Sequence, residues 1–220
     1  MKKIRWTKEA HQSLSYACLV YLPKGYDENA GKKWPLVVYL HGAGERGDNL
    51  DVVACNGLAQ RIRDGEEFPF VLVAPQCPDN TQWVVHVDAL NLFLDDMLQK
   101  LNVDENRVYL TGLSMGGMGT WFWAMESPER FAAIVPVCGM APAWNAASLK
   151  NVPVWAFHGE VDGVIPVRES IDMVEAINAA GGSAKLTVYE GVNHDSWVQA
   201  YGEKELYTWL LSHSLPETGK

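Results

Sequence analysis

Short apolar runs alternate along this chain with longer stretches in which apolar residues recur at helical spacing. The strand-like runs cover residues 14–22, 36–40, 70–74, 107–111, 131–138, 152–157 and 184–189. The helical stretches cover residues 50–63, 87–101, 114–126, 167–180 and 198–211. A run that is apolar throughout, such as 36–40, is typical of a strand covered on both faces. The alternation therefore predicts a single α/β domain, with a mostly parallel, twisted sheet and helices on both faces.

A glycine-bounded serine lies between the run at 107–111 and the next helical stretch, in the sequence Gly-Leu-Ser-Met-Gly at 112–116. Glycines two positions before and after Ser114 let the backbone adopt a strained turn, so that the hydroxyl projects from the sheet edge. The motif alone is common in glycine-bearing chains. Strand, tight turn and helix in this order are what a nucleophile elbow requires, so we predict Ser114 as a catalytic nucleophile.

A glycine-rich segment, His-Gly-Ala-Gly-Glu-Arg-Gly at 41–47, follows the second apolar run. Its Gly-x-Gly-x-x-Gly pattern could indicate a dinucleotide site, but the next strand should then end in an acid, and 70–74 is followed by Pro75. The alternative is an oxyanion loop, whose glycines leave a backbone N–H free to face a developing negative charge. We favour this second interpretation, with the N–H groups of Ala43 and Met115 as donors.

Two later loops carry an acid and a histidine in the order that a serine triad of this kind requires. Asp162 follows the run at 152–157, and His194 follows the run at 184–189. His194 is predicted to accept the serine proton, and Asp162 to hold the imidazole tautomer and stabilise its cation. Glu160 could replace Asp162 as the acid, while His158 is expected to order its loop.

Aromatic residues flank the loops that should surround this site. Trp83, Trp144 and Trp197 are candidate substrate-binding residues, as is Gln76 at a strand end. Each tryptophan could equally serve in packing, and Gln76 could simply order its loop.

Composition narrows the range of partners. The chain has 220 residues, 48% of them hydrophobic, and a net charge of -9. With no extended basic cluster, we expect neither nucleic acid nor an anionic membrane as a partner. The charged start lacks an apolar leader segment, which predicts a cytoplasmic protein, with export of a longer precursor as the open alternative. The oligomeric state stays open. We assign residues 1–213 to the domain and exclude 214–220, which contains Leu-Pro-Glu-Thr-Gly, a sortase-like motif, from the fold.

The four cysteines show neither a C-x-x-C spacing nor a nearby histidine pair. Zinc is therefore not expected, and we predict neither a metal nor a cofactor. Cys18 and Cys138 are expected to be small buried side chains. Cys55 and Cys77 lie near connecting segments, and whether they pair is left open.

In combination, these motifs resemble the α/β-hydrolase superfamily. The resemblance rests on Leu-His-Gly-Ala-Gly-Glu-Arg-Gly at 40–47, Ala-Pro-Gln at 74–76, Gly-Leu-Ser-Met-Gly-Gly at 112–117, His-Gly-Glu-Val-Asp at 158–162 with Pro166, and Gly-Val-Asn-His at 191–194. Within it, the chain is similar to bacterial phospholipase/carboxylesterase and dienelactone-hydrolase-like proteins, including predicted peptidases and feruloyl-type esterases. Dienelactone hydrolases proper use a cysteine nucleophile where this chain has Ser114.

This resemblance implies a cofactor-free serine carboxylesterase that acts on small or exposed esters. The alternatives are a feruloyl or acetyl ester hydrolase acting on plant polysaccharide, a serine peptidase, and an inactive binding module. Caps in this superfamily usually follow the strand after the elbow helix. Here that interval, 139–151, is too short for a lid domain.

Overall fold

The computed structural model describes residues 15–28 and 31–216. The start of the first expected strand at residue 14, the charged amino-terminal segment and the tail residues 217–220 lie outside this part of the chain.

Seven strands form one sheet in the order β1-β3-β2-β4-β5-β6-β7. They are β1 (Cys18–Tyr21), β2 (Trp34–Leu40), β3 (Val71–Pro75), β4 (Val103–Leu113), β5 (Ala133–Val137), β6 (Val154–Gly159) and β7 (Ala184–Tyr189). Only β1 is antiparallel to its neighbour, β3, and the other pairs are parallel. Every residue of β2, β3, β5 and β6 is buried, as continuous apolar runs predict.

Helices cover both faces of this sheet, and each face has its own apolar core. The helices are α1 (Gly57–Arg63), α2 (Val87–Lys100), α3 (Met115–Glu126), α4 (Arg168–Ala179), α5 (Trp197–Ala200) and α6 (Lys204–Leu211). One core contains apolar side chains of α2, α3 and α4, and the other contains those of α1, α5 and α6. The predicted mostly parallel α/β architecture is confirmed.

Two expected helices are interrupted, and a glycine lies at the point where the first resumes and within the gap of the second. The stretch 50–63 consists of a short 3-10 helix, Leu50–Ala54, and then α1. Gly57 has a φ of +63°, a conformation that disfavours other residues, and a Cβ there would come within 2.5 Å of the Tyr39 hydroxyl. The stretch 198–211 is likewise divided between α5 and α6, with Gly202, a poor helix former, between them.

β4 begins at Val103, before the apolar run that predicted it at 107–111. Its polar start is included because Val103 pairs with Trp34 of β2, a tertiary contact that overrides local strand propensity.

The loop after β5 contains a 3-10 segment, Ala143–Leu149, whose Ala146 and Leu149 are buried. This agrees with the expected absence of room for a lid domain. Among the described residues, no helix is long and apolar enough to cross a membrane. All four cysteines are free, with Cys55 exposed and Cys77 buried, so the pairing left open above is not formed.

Candidate active site

Ser114 occupies a strained turn between β4 and α3. Its φ and ψ of 53° and -115° lie in a region that residues with a side chain rarely adopt. The glycines on either side are required sterically, because a Cβ on Gly112 would overlap the Gly116 carbonyl and a Cβ on Gly116 would overlap the Leu40 carbonyl. The Ser114 N–H donates to Val137 O at 2.9 Å, which ties the turn to β5.

The structure brings the three residues of the predicted triad together. His194 Nε2 lies 2.8 Å from Ser114 Oγ, and His194 Nδ1 lies 2.7 Å from Asp162 Oδ2. The three come from the loops at the carboxyl ends of β4, β6 and β7, which meet at one edge of the parallel sheet. Glu160, the alternative acid, instead accepts the Gly191 N–H at 2.9 Å.

Asp162 is a buried carboxylate that is well supplied with donors. Its Oδ1 accepts the N–H groups of Val164 at 2.8 Å and Ile165 at 2.9 Å, while Oδ2 accepts from His194. Burial favours the neutral acid, but the hydrogen bonds from His194, Ile165 and Val164 outweigh that effect and hold the pKa of Asp162 below its ordinary value. The group is therefore an anion at neutral pH.

Asn193 joins the loop of the acid to the loop of the base. Its Oδ1 accepts the N–H groups of Gly163 and of His194, each at 2.9 Å. Sequence reasoning did not single out Asn193, because a loop asparagine beside a histidine carries no pattern of its own.

The two proposed oxyanion donors both lie at the start of helical turns. Ala43 is the first residue of the 3-10 turn Ala43–Glu45, and Met115 is the first residue of α3. The first N–H groups of a helix have no partner within it, so they can face a bound anion. Gly42 is needed here, since a Cβ would come within 2.8 Å of Leu113 Cδ1.

His41 holds the loop that runs from β2 through Gly42 to Ala43, and no pattern in the sequence indicates this role. Its ring is buried, with Nδ1 2.6 Å from Gly42 O and Nε2 accepting the Cys77 N–H at 3.0 Å. Because Nε2 accepts, Nδ1 carries the proton and donates to Gly42 O. Burial lowers the pKa of His41 to about 4, so this neutral tautomer persists at physiological pH. The ring thereby fixes the backbone that leads into Ala43.

Two of the candidate substrate residues turn out to support the loops instead. Trp83 has no exposed surface, and its indole N–H donates to His41 O at 3.0 Å. Gln76 is buried, and its Nε2 donates to the carbonyls of Glu45 at 3.0 Å and Asn49 at 2.9 Å. Burial contradicts the prediction that these two side chains contact substrate, and their packing and loop-ordering alternatives fit the structure.

The other two candidates are accessible. Trp144 has 84% of its surface exposed, on the loop after β5. Trp197 is half-buried at the start of α5, and its ring meets His194 edge-to-face with 5.5 Å between centroids. Both therefore stay candidates for contact with substrate.

Cys138, Asp162 and His194 have potential ligand atoms within 4.8 Å of one another. Burial raises the pKa of the Cys138 thiol to about 12, so the group is a protonated thiol, which is a poor metal ligand. Asp162 and His194 already bond to each other. The donor set fits a hydrogen-bonded triad better than a metal centre.

A mostly parallel sheet with helices on both faces and a strained serine turn after a central strand defines the α/β-hydrolase class. The chain belongs to the phospholipase/carboxylesterase family, whose sequence profile matches residues 73–208.

Among solved structures, a thermostable esterase is 35% identical to the chain, with a TM-score of 0.77, over 90% of this chain and 59% of that one. A bifunctional acetylxylan esterase/xylanase of Neocallimastix patriciarum is 29% identical over 157 residues, which are 66% of this chain and 21% of the relative. An endo-1,4-beta-xylanase/feruloyl esterase of Xylanibacter ruminicola is 28% identical over 197 residues, 80% of this chain and 26% of the relative. The chain thus spans about a quarter or less of these two curated relatives.

Proposed function

We propose that the protein is a serine carboxylesterase that hydrolyses small or exposed carboxylic esters. The observation that carries this proposal is the continuous hydrogen-bond chain from Ser114 Oγ through His194 to Asp162, built at a strained turn. A relic of a lost enzyme would be expected to lack one of these residues, so an inactive binding module is disfavoured.

The proposed reaction has two halves. Ser114 Oγ attacks the ester carbonyl carbon while His194 Nε2 takes the hydroxyl proton, and the resulting oxyanion is stabilised by the N–H groups of Ala43 and Met115. The intermediate collapses as His194 returns the proton to the leaving alkoxide, which leaves an acyl-enzyme. In the second half, a water molecule attacks the acyl-enzyme carbonyl while His194 takes its proton. The intermediate then collapses, Ser114 regains its proton from His194, and the carboxylic acid is released. Throughout, the Asp162 anion holds the proton-bearing Nδ1 of His194 and stabilises its cation.

The second candidate function is removal of acetyl or feruloyl groups from plant polysaccharide. The functions for which the two xylanase-linked relatives are named favour it, and the exposed Trp144 on the loop after β5 would suit a sugar or a phenolic acid. Peptide hydrolysis is less favoured, because an ester has the better leaving group and the short loop after β5 leaves little room for a gating subdomain.

Exposed apolar side chains gather on the loops that surround the triad. Met140, Trp144, Val161 and Val164 are exposed on the loops after β5 and β6, and Val198 is exposed on α5, the short helix that follows β7. We call these five residues the apolar rim. It favours an apolar acyl or aromatic group on the substrate, since contact would remove this surface from water.

Replacing Trp144 with alanine should therefore raise KM for feruloyl or phenyl esters by about 2- to 10-fold, with a smaller effect on acetate esters. The indole contributes contact area but no proton transfer, so kcat should change little. Leu92→Ala on α2 removes another exposed apolar side chain, one outside the rim, and should leave KM unchanged. If Trp144→Ala changed KM equally for acetate and feruloyl esters, the prediction that the indole contacts the aromatic group of the substrate would be wrong.

Hydrolysis of tributyrin should follow the dissolved concentration and show no jump at the solubility limit. The loop after β5 is packed down through Ala146 and Leu149, so it does not supply a mobile apolar lid that an oil surface could open. A concentration series across saturation, beside acetyl, butyryl, feruloyl and peptide substrates, tests this expectation. Sharp activation at the emulsion boundary, with a preference for long acyl chains, would indicate a lipase instead.

The cytoplasmic location predicted above is retained as a proposal. Free thiols at all four cysteines, including the exposed Cys55, fit a reducing compartment.

A further inference from the structure

A second imidazole, that of His158 at the end of β6, contacts the proposed catalytic acid. Its Nε2 lies 3.2 Å from Asp162 Oδ2 and 2.8 Å from Ile165 O, and its Nδ1 lies 2.8 Å from Ser170 Oγ on α4. Neither the His158 nor the Asp162 side chain has exposed surface. The reaction described above does not use this ring.

The partners of His158 determine where its protons lie. Ile165 O is a carbonyl and can only accept, so Nε2 must carry a hydrogen. That N–H bonds to Ile165 O, and Asp162 Oδ2 lies only 3.2 Å from the same nitrogen. Burial lowers the pKa of His158, which keeps the ring neutral and makes Nδ1 an acceptor for the Ser170 hydroxyl. His158 is therefore a neutral donor of fixed orientation.

We propose that His158 is a positioning residue that holds the Asp162 carboxylate in the plane that His194 requires. The proposal rests on the proposed function and deepens it. Without His158, Oδ2 would keep only His194 as a side-chain donor, and His194 changes its charge during each half of the reaction. His158 is a stationary donor, because it belongs to β6, pairs in register with Val188 of β7, and is tied to α4 through Ser170.

Neutrality matters for this role. A charged His158 would compete with the His194 cation for the same carboxylate oxygen, whereas a neutral N–H orients Oδ2 and leaves the anion's charge available to His194. The Cys138 thiol from the loop after β5 also lies close to Asp162 and His194 and is neutral, while the exposed Asp195 adjoins His194 in the chain.

The test compares His158→Leu, His158→Gln and Ser170→Ala in the full chain. Leucine removes the donor, whereas the amide N–H of glutamine can occupy the place of Nε2. The readout is the rate at which a fluorophosphonate labels Ser114 as a function of pH, which requires no knowledge of the natural ester. Turnover of nitrophenyl acetate supplies kcat and KM.

His158→Leu should slow labelling and kcat by on the order of tenfold, with KM changed less than about twofold. The midpoint of the acid limb should also move, because the carboxylate that bonds to His194 has one donor fewer. His158→Gln should restore the midpoint and most of the rate. Ser170→Ala removes the Nδ1 partner but not the donor to Asp162, so its effect should be smaller than that of His158→Leu.

The results distinguish failure of the proposed esterase function from failure of the positioning role of His158. A wild-type protein that is folded but neither labelled nor active would overturn the proposed function. An active wild type with a His158→Leu variant of equal rate and equal acid limb would overturn the positioning role. If His158→Leu does not fold, the decision passes to His158→Gln, and a folded glutamine variant with the rate lost and the midpoint shifted would refute rescue through the donor.

A proton NMR resonance of the His194–Asp162 hydrogen bond gives a readout independent of turnover. The position of that resonance should differ between wild type and His158→Leu, and an unchanged position would also count against the proposal.

Discussion

Ser114→Ala should lower kcat by on the order of 10⁴-fold or more, and the oxyanion donors should leave a small residual rate over uncatalysed hydrolysis. The variant loses the nucleophile, so no acyl-enzyme can form. The fold should be retained, because α3 and β4 pack through other residues and the Ser114 side chain is not part of either apolar core. Initial rates with a nitrophenyl ester, beside a thermal unfolding curve, measure both parts of this expectation.

Ser212→Ala is a matched control for this change. Ser212 lies just after α6, is exposed, and bonds only to the carbonyl at the end of its own helix. Its loss should leave kcat unchanged. Near-normal esterase activity in Ser114→Ala would end the proposed mechanism, whatever the control shows.

Asp162→Asn should lower kcat by on the order of 10⁴-fold with little change in fold. The remaining amide oxygen can still accept the N–H groups of Val164 and Ile165, so the loop should keep its shape. The amide nitrogen would then face the N–H at His194 Nδ1, where the carboxylate now accepts a hydrogen bond, and two donors cannot face each other. His194 would shift its proton to Nε2, which faces Ser114, and could no longer act as the base.

Asp195→Asn gives the corresponding control one residue beyond the base. Asp195 is exposed and should tolerate loss of its charge with nearly unchanged kcat. If Asp162→Asn instead kept more than about a tenth of the wild-type rate, the acid would have been assigned to the wrong residue. Glu160→Gln would then be the next variant to measure.

The parts of the fold that could be predicted from sequence are those decided locally. Continuous apolar runs predicted β2 and β3, and the glycines around Ser114 predicted its turn because their steric requirement follows from residue type. The serine, the acid and the histidine follow β4, β6 and β7, and they meet because these parallel strands end at one edge of the sheet.

What could not be predicted depends on tertiary contacts. The helical pattern at 50–63 breaks just before Gly57, whose positive φ and close approach to the Tyr39 hydroxyl of β2 are set by the tertiary structure. Trp83 has the same residue type as the exposed Trp144, and only packing distinguishes them. His41 and His158 likewise acquire their roles from buried hydrogen bonds to distant backbone and side-chain groups, which no spacing in the sequence indicates.

Covalent labelling shows whether Ser114 is an activated nucleophile. The wild-type protein should be incubated with a fluorophosphonate, its mass determined intact, and the modified residue located by peptide mapping, with Ser114→Ala and His194→Ala treated in parallel. We expect a single adduct on Ser114 in the wild type, none in Ser114→Ala, and strongly slowed labelling in His194→Ala. A folded wild-type protein that stays unlabelled, or an adduct on any other residue, would contradict this role of Ser114.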